Sequence, residues 1–293
     1  MSGTVGGVVS FGDGPIVCGV DFSEPSRRAL RYAHALAGRL GQPLVVVGAI
    51  DPLIAEAAAR TGPGAFPDRA KRDLEELVAA TLGGGVGAAS LLVPVGPADR
   101  ELLAAARVRH ASAIVMGTEG LGRARRLIFG STTLRVMRHT DRPVLAVPPA
   151  RDASATVAPP ARILCGVDFS EASKSAARAA VALGRRLAIP VTLVNAVPGL
   201  TLPSVWDVML SPTDDEREAH ARVNLTTFAA TLGSPAPAVL AVCGEPEEIF
   251  ARESASAGAL IALGLGDLSG HRPGTTALRI MAETRAPVLA VPK

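Results

Sequence analysis

Two kinds of apolar pattern alternate along this chain. Short continuous apolar runs, among them Ile16–Val20, Leu44–Ile50, Ala113–Gly117 and Val144–Val147, are separated by longer stretches in which apolar side chains return every three or four positions. A continuous run reads as a strand buried on both faces of a parallel sheet; an i, i+3, i+4 stripe reads as an amphipathic helix. The first half accordingly predicts strands near 16–20, 44–50, 90–95, 113–117 and 143–147, and helices near 24–40, 68–82, 97–110 and 131–140. The first helix is the best marked. Ser23 ahead of Glu24-Pro25 is a start signal, Leu30, Ala33, Ala37 and Leu40 form one stripe, the arginines 27, 28, 31 and 39 fall largely off it, and Gly41 ends it. Residues 52–67 hold three prolines and two glycines and read as a mobile loop. Strands alternating with helices predict an open, doubly wound α/β sheet, which takes ligands beyond the carboxyl ends of its strands where the winding reverses.

The pattern is written twice. Ile16-Val-Cys-Gly-Val-Asp-Phe-Ser-Glu24 recurs as Ile163-Leu-Cys-Gly-Val-Asp-Phe-Ser-Glu171, 147 positions on, and Pro143-Val-Leu-Ala-Val-Pro148 recurs as Pro287-Val-Leu-Ala-Val-Pro292, 144 positions on. The second copy has therefore lost three residues between those landmarks. A repeat of this length is a duplicated domain. The organisation expected is a flexible Gly-rich leader over 1–14, a first domain over 15–149, an Ala/Pro-rich linker over 150–161 and a second domain over 162–293.

Composition narrows the function. The chain has 293 residues, a formal net charge of +3, and nine aromatic side chains (seven Phe, one Trp, one Tyr), which leaves little for base stacking and argues against nucleic-acid binding. No apolar stretch approaches the roughly 20 residues of a membrane helix, and the N-terminus lacks a signal-peptide pattern, so the compartment expected is the cytoplasm. Cys18, Cys165 and Cys243 sit in apolar runs and read as small buried hydrophobes. The five histidines are scattered singly, so no protein metal site is expected, and no catalytic nucleophile–base pair is visible.

One segment carries chemistry. Gly117-Thr-Glu-Gly120-Leu-Gly-Arg-Ala-Arg-Arg-Leu-Ile-Phe-Gly130-Ser131-Thr132 lies between a strand end and a helix start. Main-chain N–H groups at a helix N-terminus attract phosphate. Glycines allow close approach, Ser131 and Thr132 add hydroxyls, and Arg123, Arg125 and Arg126 add charge. Asp21 also lies just past a strand end, where it either contacts a ligand or caps the first helix.

These residues resemble the universal stress protein family in a tandem, two-domain form. Gly117, Gly120, Gly130 and Ser131 match the family's nucleotide signature, Gly-x2-Gly-x9-Gly-Ser/Thr, and the Val-Asp-Phe-Ser opening and the Pro-Val-Leu-Ala-Val-Pro ending are similar to its hallmarks. The resemblance implies two five-stranded parallel sheets of the adenine nucleotide alpha hydrolase-like kind, paired through their last strands, Val144–Val147 with Val288–Val291, as a pseudo-dimer within one chain; it leaves a homodimer open. It implies ATP or another adenine nucleotide as ligand; a Mg ion could arrive with the phosphates, held largely by them. By position, Gly19, Val20 and Asp21 would meet the adenine and ribose end, Ala49 the adenine, Met116 and Gly117 the ribose, and Gly120, Gly130, Ser131 and Thr132 the phosphates, with Arg123 as an added contact. The expected function is a non-catalytic stress sensor or regulator acting through conformation or partner choice; the alternatives are a slow ATPase and an interaction module with a vestigial pocket.

The second copy is expected to bind weakly or not at all. Its counterparts are Asp168, Gly264, Gly274, Thr275 and Thr276, with Asp267 where Gly120 stands and six residues where the first copy has nine. A second alignment sets Gly264 at Gly120, keeps the nine-residue spacer and puts Ile261 at Gly117.

Overall fold

The computed structural model describes residues 11–61, 65–84, 89–118, 130–149, 159–199, 212–266 and 275–292. The chain divides into two compact units, Met1–Pro159 together with Pro287–Pro292, and Pro160–Ala286 together with Lys293.

Unit 1 runs β1 (Ile16–Gly19), α1 (Glu24–Leu40), β2 (Leu44–Val47), α2 (Pro52–Thr61), α3 (Ala65–Leu82), β3 (Ser90–Leu92), α4 (Ala98–Val108), β4 (Ala113–Gly117), α5 (Ser131–His139) and β5 (Val144–Val147). The four residues of β1, β2 and β5 are all buried, as their unbroken apolar sequence demands. The sheet order is β3-β2-β1-β4-β5, parallel throughout, and its free side is completed by the antiparallel strand β10 (Val288–Val291). Because the winding moves outward from β1 through β2 to β3 and then returns to β4 on the other side of β1, the switch point lies between β1 and β4. Helix α1 packs with α3 and α4 with α5, and Leu30, Leu36 and Leu74 on the helices and Ile16, Ile114 and Leu145 on the strands are all buried, with no measurable exposure to about 1%. Burying each such side chain is worth about 1.5–3 kcal/mol.

Local signals explain the ends of α1. Ser23 is the N-cap and accepts from the Ser26 amide, Pro25 sits in the first turn, and Gly41 closes the helix in the left-handed region at φ 63°, donating its amide back to Ala37 and Gly38. The reading of 52–67 as a mobile loop is corrected for its described residues: helix α2 occupies 52–61 and the start of α3 occupies 65–67. Asp51 begins α2 by accepting the Leu53 amide on Oδ1 at 2.8 Å and the Ala55 amide on its carbonyl at 3.0 Å. Pro52 takes the first helical position, where a missing N–H costs nothing, and the alanines that follow favour helix. Pro52 and Pro67 mark starts of helices, not a break.

Unit 2 repeats the plan with β6 (Arg162–Gly166), α6 (Glu171–Leu187), β7 (Val191–Val197), α7 (Asp214–Ala230), β8 (Ala238–Cys243), α8 (Pro246–Glu253), β9 (Ala259–Gly264) and α9 (Thr275–Glu283). Its parallel strands lie in the order β9-β6-β7-β8, so its switch point falls between β6 and β9. The closing strand β10, which belongs to the second copy by sequence, clusters with unit 1.

The ladders decide between the two alignments. Cys18 stands opposite Val115 in unit 1, and its counterpart Cys165 stands opposite Ala262 in unit 2. Two steps further, Gly117 therefore corresponds to Gly264. Ile261, opposite Leu164, occupies the place of Ile114, opposite Val17. The alignment that slides Ile261 onto Gly117 is excluded.

Candidate functional site

Register brings three chain segments to one level at the carboxyl edge of unit 1. Gly19 pairs with Val47 and Cys18 with Val115, so Asp21, Ala49 and Thr118 each lie one or two residues beyond the paired strands, at the same height. Gly19, Val20, Met116 and Gly117 are buried beneath this level, and Asp21 and Ala49 are half-buried on it. Of the remaining residues expected here, Gly130, Ser131 and Thr132 are described; Gly120 and Arg123, with Arg125 and Arg126, lie outside the described residues.

The N-terminus of α5 is the chemically distinctive part. Gly130 is its N-cap, in extended conformation, and offers no side-chain hydrogen bond to the first turn. A helix whose cap has no side chain leaves first-turn amides for another acceptor, and the helix dipole adds partial positive charge there. The frame around these amides is fixed. The Gly130 amide donates to the Thr118 carbonyl at 2.7 Å, the Thr118 amide to Val147 at 3.1 Å, and the Thr133 hydroxyl to the Gly117 carbonyl at 2.9 Å. Thr133 thus pins the helix start to the end of β4. Arg135, one turn on, donates to the Ser131 carbonyl at 3.2 Å and hydroxyl at 3.0 Å. A cation this near the helix start is unfavourable to the dipole, but it suits an anion placed beyond Ser131.

Across the switch point, Asp21 holds a tight turn. Its Oδ1 accepts the Ser23 amide at 3.1 Å and the Ser23 hydroxyl at 2.5 Å, while its own amide donates to the Ser26 hydroxyl at 3.3 Å. Phe22 between them is driven to φ 64°. A bulky residue in the left-handed region is strained and persists only where its surroundings over-determine it; here the aspartate-to-serine bonds do so. Asp168, Phe169 (φ 63°) and Ser170 rebuild the same turn in unit 2. Asp168 is exposed as a residue, yet the protein packed beside its carboxyl pushes it up; the bonds from Ser170 and Ser173 outweigh this and hold it below the usual value. A depressed value means stability that is present above the unfolded aspartate's titration, near about 3.9, and is lost as pH falls through that value and then the folded one. Asp168→Asn should therefore lower the unfolding temperature of unit 2 at pH 7, and its deficit against the wild type should shrink below about pH 3.9 in scanning calorimetry.

The chain matches the universal stress protein family over residues 14–148 and again over 160–292. The chain belongs to the universal stress protein family. A curated relative, the universal stress protein in the QAH/OAS sulfhydrylase 3′ region of Thermus aquaticus, is 34% identical over 139 residues, covering 45% of this chain and 96% of its own. A universal stress protein structure from Archaeoglobus fulgidus DSM 4304 matches 96% of this chain and 98% of its own with a TM-score of 0.65 at 15% identity, a likeness of fold. A universal stress protein solved in complex with cAMP is 26% identical over 47% of this chain and 98% of its own, with a TM-score of 0.34.

As a tandem universal stress protein, the chain carries two differently equipped edges. Gly264 in unit 2 has a packing reason to be glycine, since a Cβ there would lie 2.3 Å from the carbonyl carbon of Ala172 in α6. Asp168 and Thr276 are exposed; Gly274, Asp267 and the side chain of Thr275 lie outside the described residues. Ala277 stands where Thr133 does, so the hydroxyl tie is missing. Arg279, the counterpart of Arg135, is engaged by Glu245 at 3.5 Å and by Glu247. Burial pushes the Cys18 thiol far up and Cys165 to about 12, which leaves both as packing residues; Cys243 is half-buried, where the sequence suggested full burial. Among the described residues no group of His, Cys, Asp and Glu is placed to hold a metal, and no helix is long and apolar enough to cross a membrane. Sequence reasoning missed Thr118, Thr133 and Arg135. The Ser131–Arg135 spacing of four was a usable signal; the Thr133–Gly117 bond had none.

Proposed function

We propose that unit 1 binds an adenine nucleotide, ATP above all, with its phosphates on the first turn of α5 and its base and ribose along Ala49, Gly19–Asp21 and Met116–Gly117. The supporting observation is the glycine-capped start of α5, whose first-turn amides receive no side chain from the cap and sit beside the β1/β4 switch point. Ser131, Thr132 and Arg135 extend the same anion-attracting surface, and Gly120 and Arg123 belong to it by sequence. Any Mg would be held through the phosphates.

The output we assign is a change of conformation or partner in a stress response, in the cytoplasm. A ligand shifts such an equilibrium only through different affinities for the two states. The Asp21 carboxylate supports binding over hydrolysis, because Ser23 engages one of its oxygens twice, as suits an anchor for the turn. Mass spectrometry of the small molecule released from freshly purified protein should find an adenine nucleotide, and calorimetry should find saturable ATP binding. Absence of heat with ATP, ADP and AMP at millimolar concentration would leave an interaction module as the better account.

A further inference from the structure

We infer that the base half of the site is kept open in unit 1 by Gly48 and Pro94 and closed in unit 2 by their counterparts Asn195 and Val242, so that only unit 1 accepts a purine nucleoside. The inference rests on the nucleotide reading above and names the residues that give it selectivity between the two copies.

The correspondence comes from the ladders. Val47 pairs with Leu92 as Val194 pairs with Leu240, which sets Gly48 against Asn195, Ala49 against Ala196 and Pro94 against Val242. In a parallel ladder the Gly48 amide donates to Leu92, as it does at 3.0 Å, and the next bond would run from residue 94 to the Gly48 carbonyl. Pro94 has no N–H to give. That one bond is missing, which leaves the Gly48 carbonyl without its ladder donor, and the ladder resumes with the Ile50 amide on the Pro94 carbonyl at 2.8 Å and the Gly96 amide on the Ile50 carbonyl at 3.0 Å. Val242 restores the missing donor in unit 2. There the ladder continues without interruption through Asn195–Ala241, Ala196–Val242 and Val197–Cys243, and β7 has seven residues where β2 has four.

The side chains reinforce this difference. The Asn195 amide reaches from β7 across to the residue after β6 and donates to the Val167 carbonyl at 2.6 Å. Val167 is the counterpart of Val20, one of the main-chain positions assigned to the base and ribose. In unit 2 that acceptor is already used, and an amide group lies over the edge where unit 1 has only the hydrogen of Gly48. A base entering unit 2 would have to displace a partly buried hydrogen bond and leave a main-chain carbonyl to be satisfied anew, which costs free energy.

The test transplants the closure. A Cβ on Gly48 would sit 3.4 Å from Leu74 Cδ1, so a side chain at this position starts without a clash with the main chain. By calorimetry, wild-type protein should bind one adenosine per chain, and Gly48→Asn should weaken adenosine and ATP by at least about tenfold while inorganic tripolyphosphate, which has no base, binds as before. Should Gly48→Asn unfold unit 1, Asn195→Gly serves instead: one adenosine per chain rising to two supports the inference, and one remaining overturns it. Undiminished adenosine affinity in a folded Gly48→Asn variant, or two equal adenosine sites in the wild type, overturns the inference and leaves the nucleotide reading standing. A wild type that binds neither adenosine nor ATP sinks that reading and this inference with it.

Discussion

Gly130→Asp should abolish the proposed nucleotide binding while leaving the protein's stability intact or slightly raised. Gly130 is extended and caps α5 without a side chain, a position where aspartate is a preferred residue whose carboxylate accepts the first-turn amides. Replacing glycine by a good cap is worth a few tenths of a kcal/mol in favour of the fold. The same carboxylate would occupy the amides assigned to phosphate and add a like charge about 4 Å from it, a repulsion of about 1–4 kcal/mol depending on local dielectric. The expected result is a fall in ATP affinity of about a hundredfold, with an unfolding midpoint no lower than the wild type's. Calorimetric titration and a denaturant melt on the same sample check it. Unchanged ATP affinity would remove the phosphate from α5. A simultaneous loss of stability would show instead that the glycine is needed by the loop itself. The opposite movement of the two measurements separates a site from a scaffold.

Leu289→Ala should destabilise unit 1 by about 2–5 kcal/mol, although residue 289 lies at the far end of the sequence. Leu289 is fully buried and stands opposite Leu145 in the antiparallel pair of β10 and β5. Leu145 in turn stands opposite Val115 of β4, the strand that ends at Gly117. Truncation removes methyl groups from a packed interior and leaves a cavity that the neighbouring strands fill only in part. It also weakens the cover on β5, whose apolar edge would otherwise invite pairing with other chains. Hydrogen exchange is the discriminating measurement: the amides of β5 and β4 should lose protection in Leu289→Ala, and an effect confined to residues 160–286 would contradict the clustering of β10 with unit 1.

Much of this architecture is legible in the residues. Strand runs such as Leu44–Val47 and Val144–Val147 are apolar throughout because both faces are covered, and the stripe, cap and terminal glycine of α1 announce its limits within a residue. The duplication is legible too, since Val-Asp-Phe-Ser and Pro-Val-Leu-Ala-Val-Pro occur twice. The stretch 52–67 was misread for a physical reason: proline punctuates a chain both where it breaks a helix and where it begins one, and the Asp51 carboxylate that settles the matter acts through a bond to Leu53. The candidate site was legible as a glycine–serine helix start after a strand, which is local information. Its frame was not, because Thr133 bonding Gly117 and Arg135 bonding Ser131 depend on the angle at which α5 leaves the sheet.

By itself, then, the sequence determined a duplicated, parallel α/β chain with a glycine–serine helix start after a strand in its first copy, because hydrophobic period, caps and glycine spacing are properties of neighbouring residues. Only the tertiary structure decided which residues share a height at the sheet edge, that Gly264 and not Ile261 answers to Gly117, that Val-Leu-Ala-Val of the second copy completes the first unit, and that Pro94 falls where unit 2 has the ladder residue Val242 and Asn195 bonds the Val167 carbonyl. These are matters of register between strands far apart in the chain, and register is fixed by which distant N–H finds which carbonyl, information that no local pattern carries.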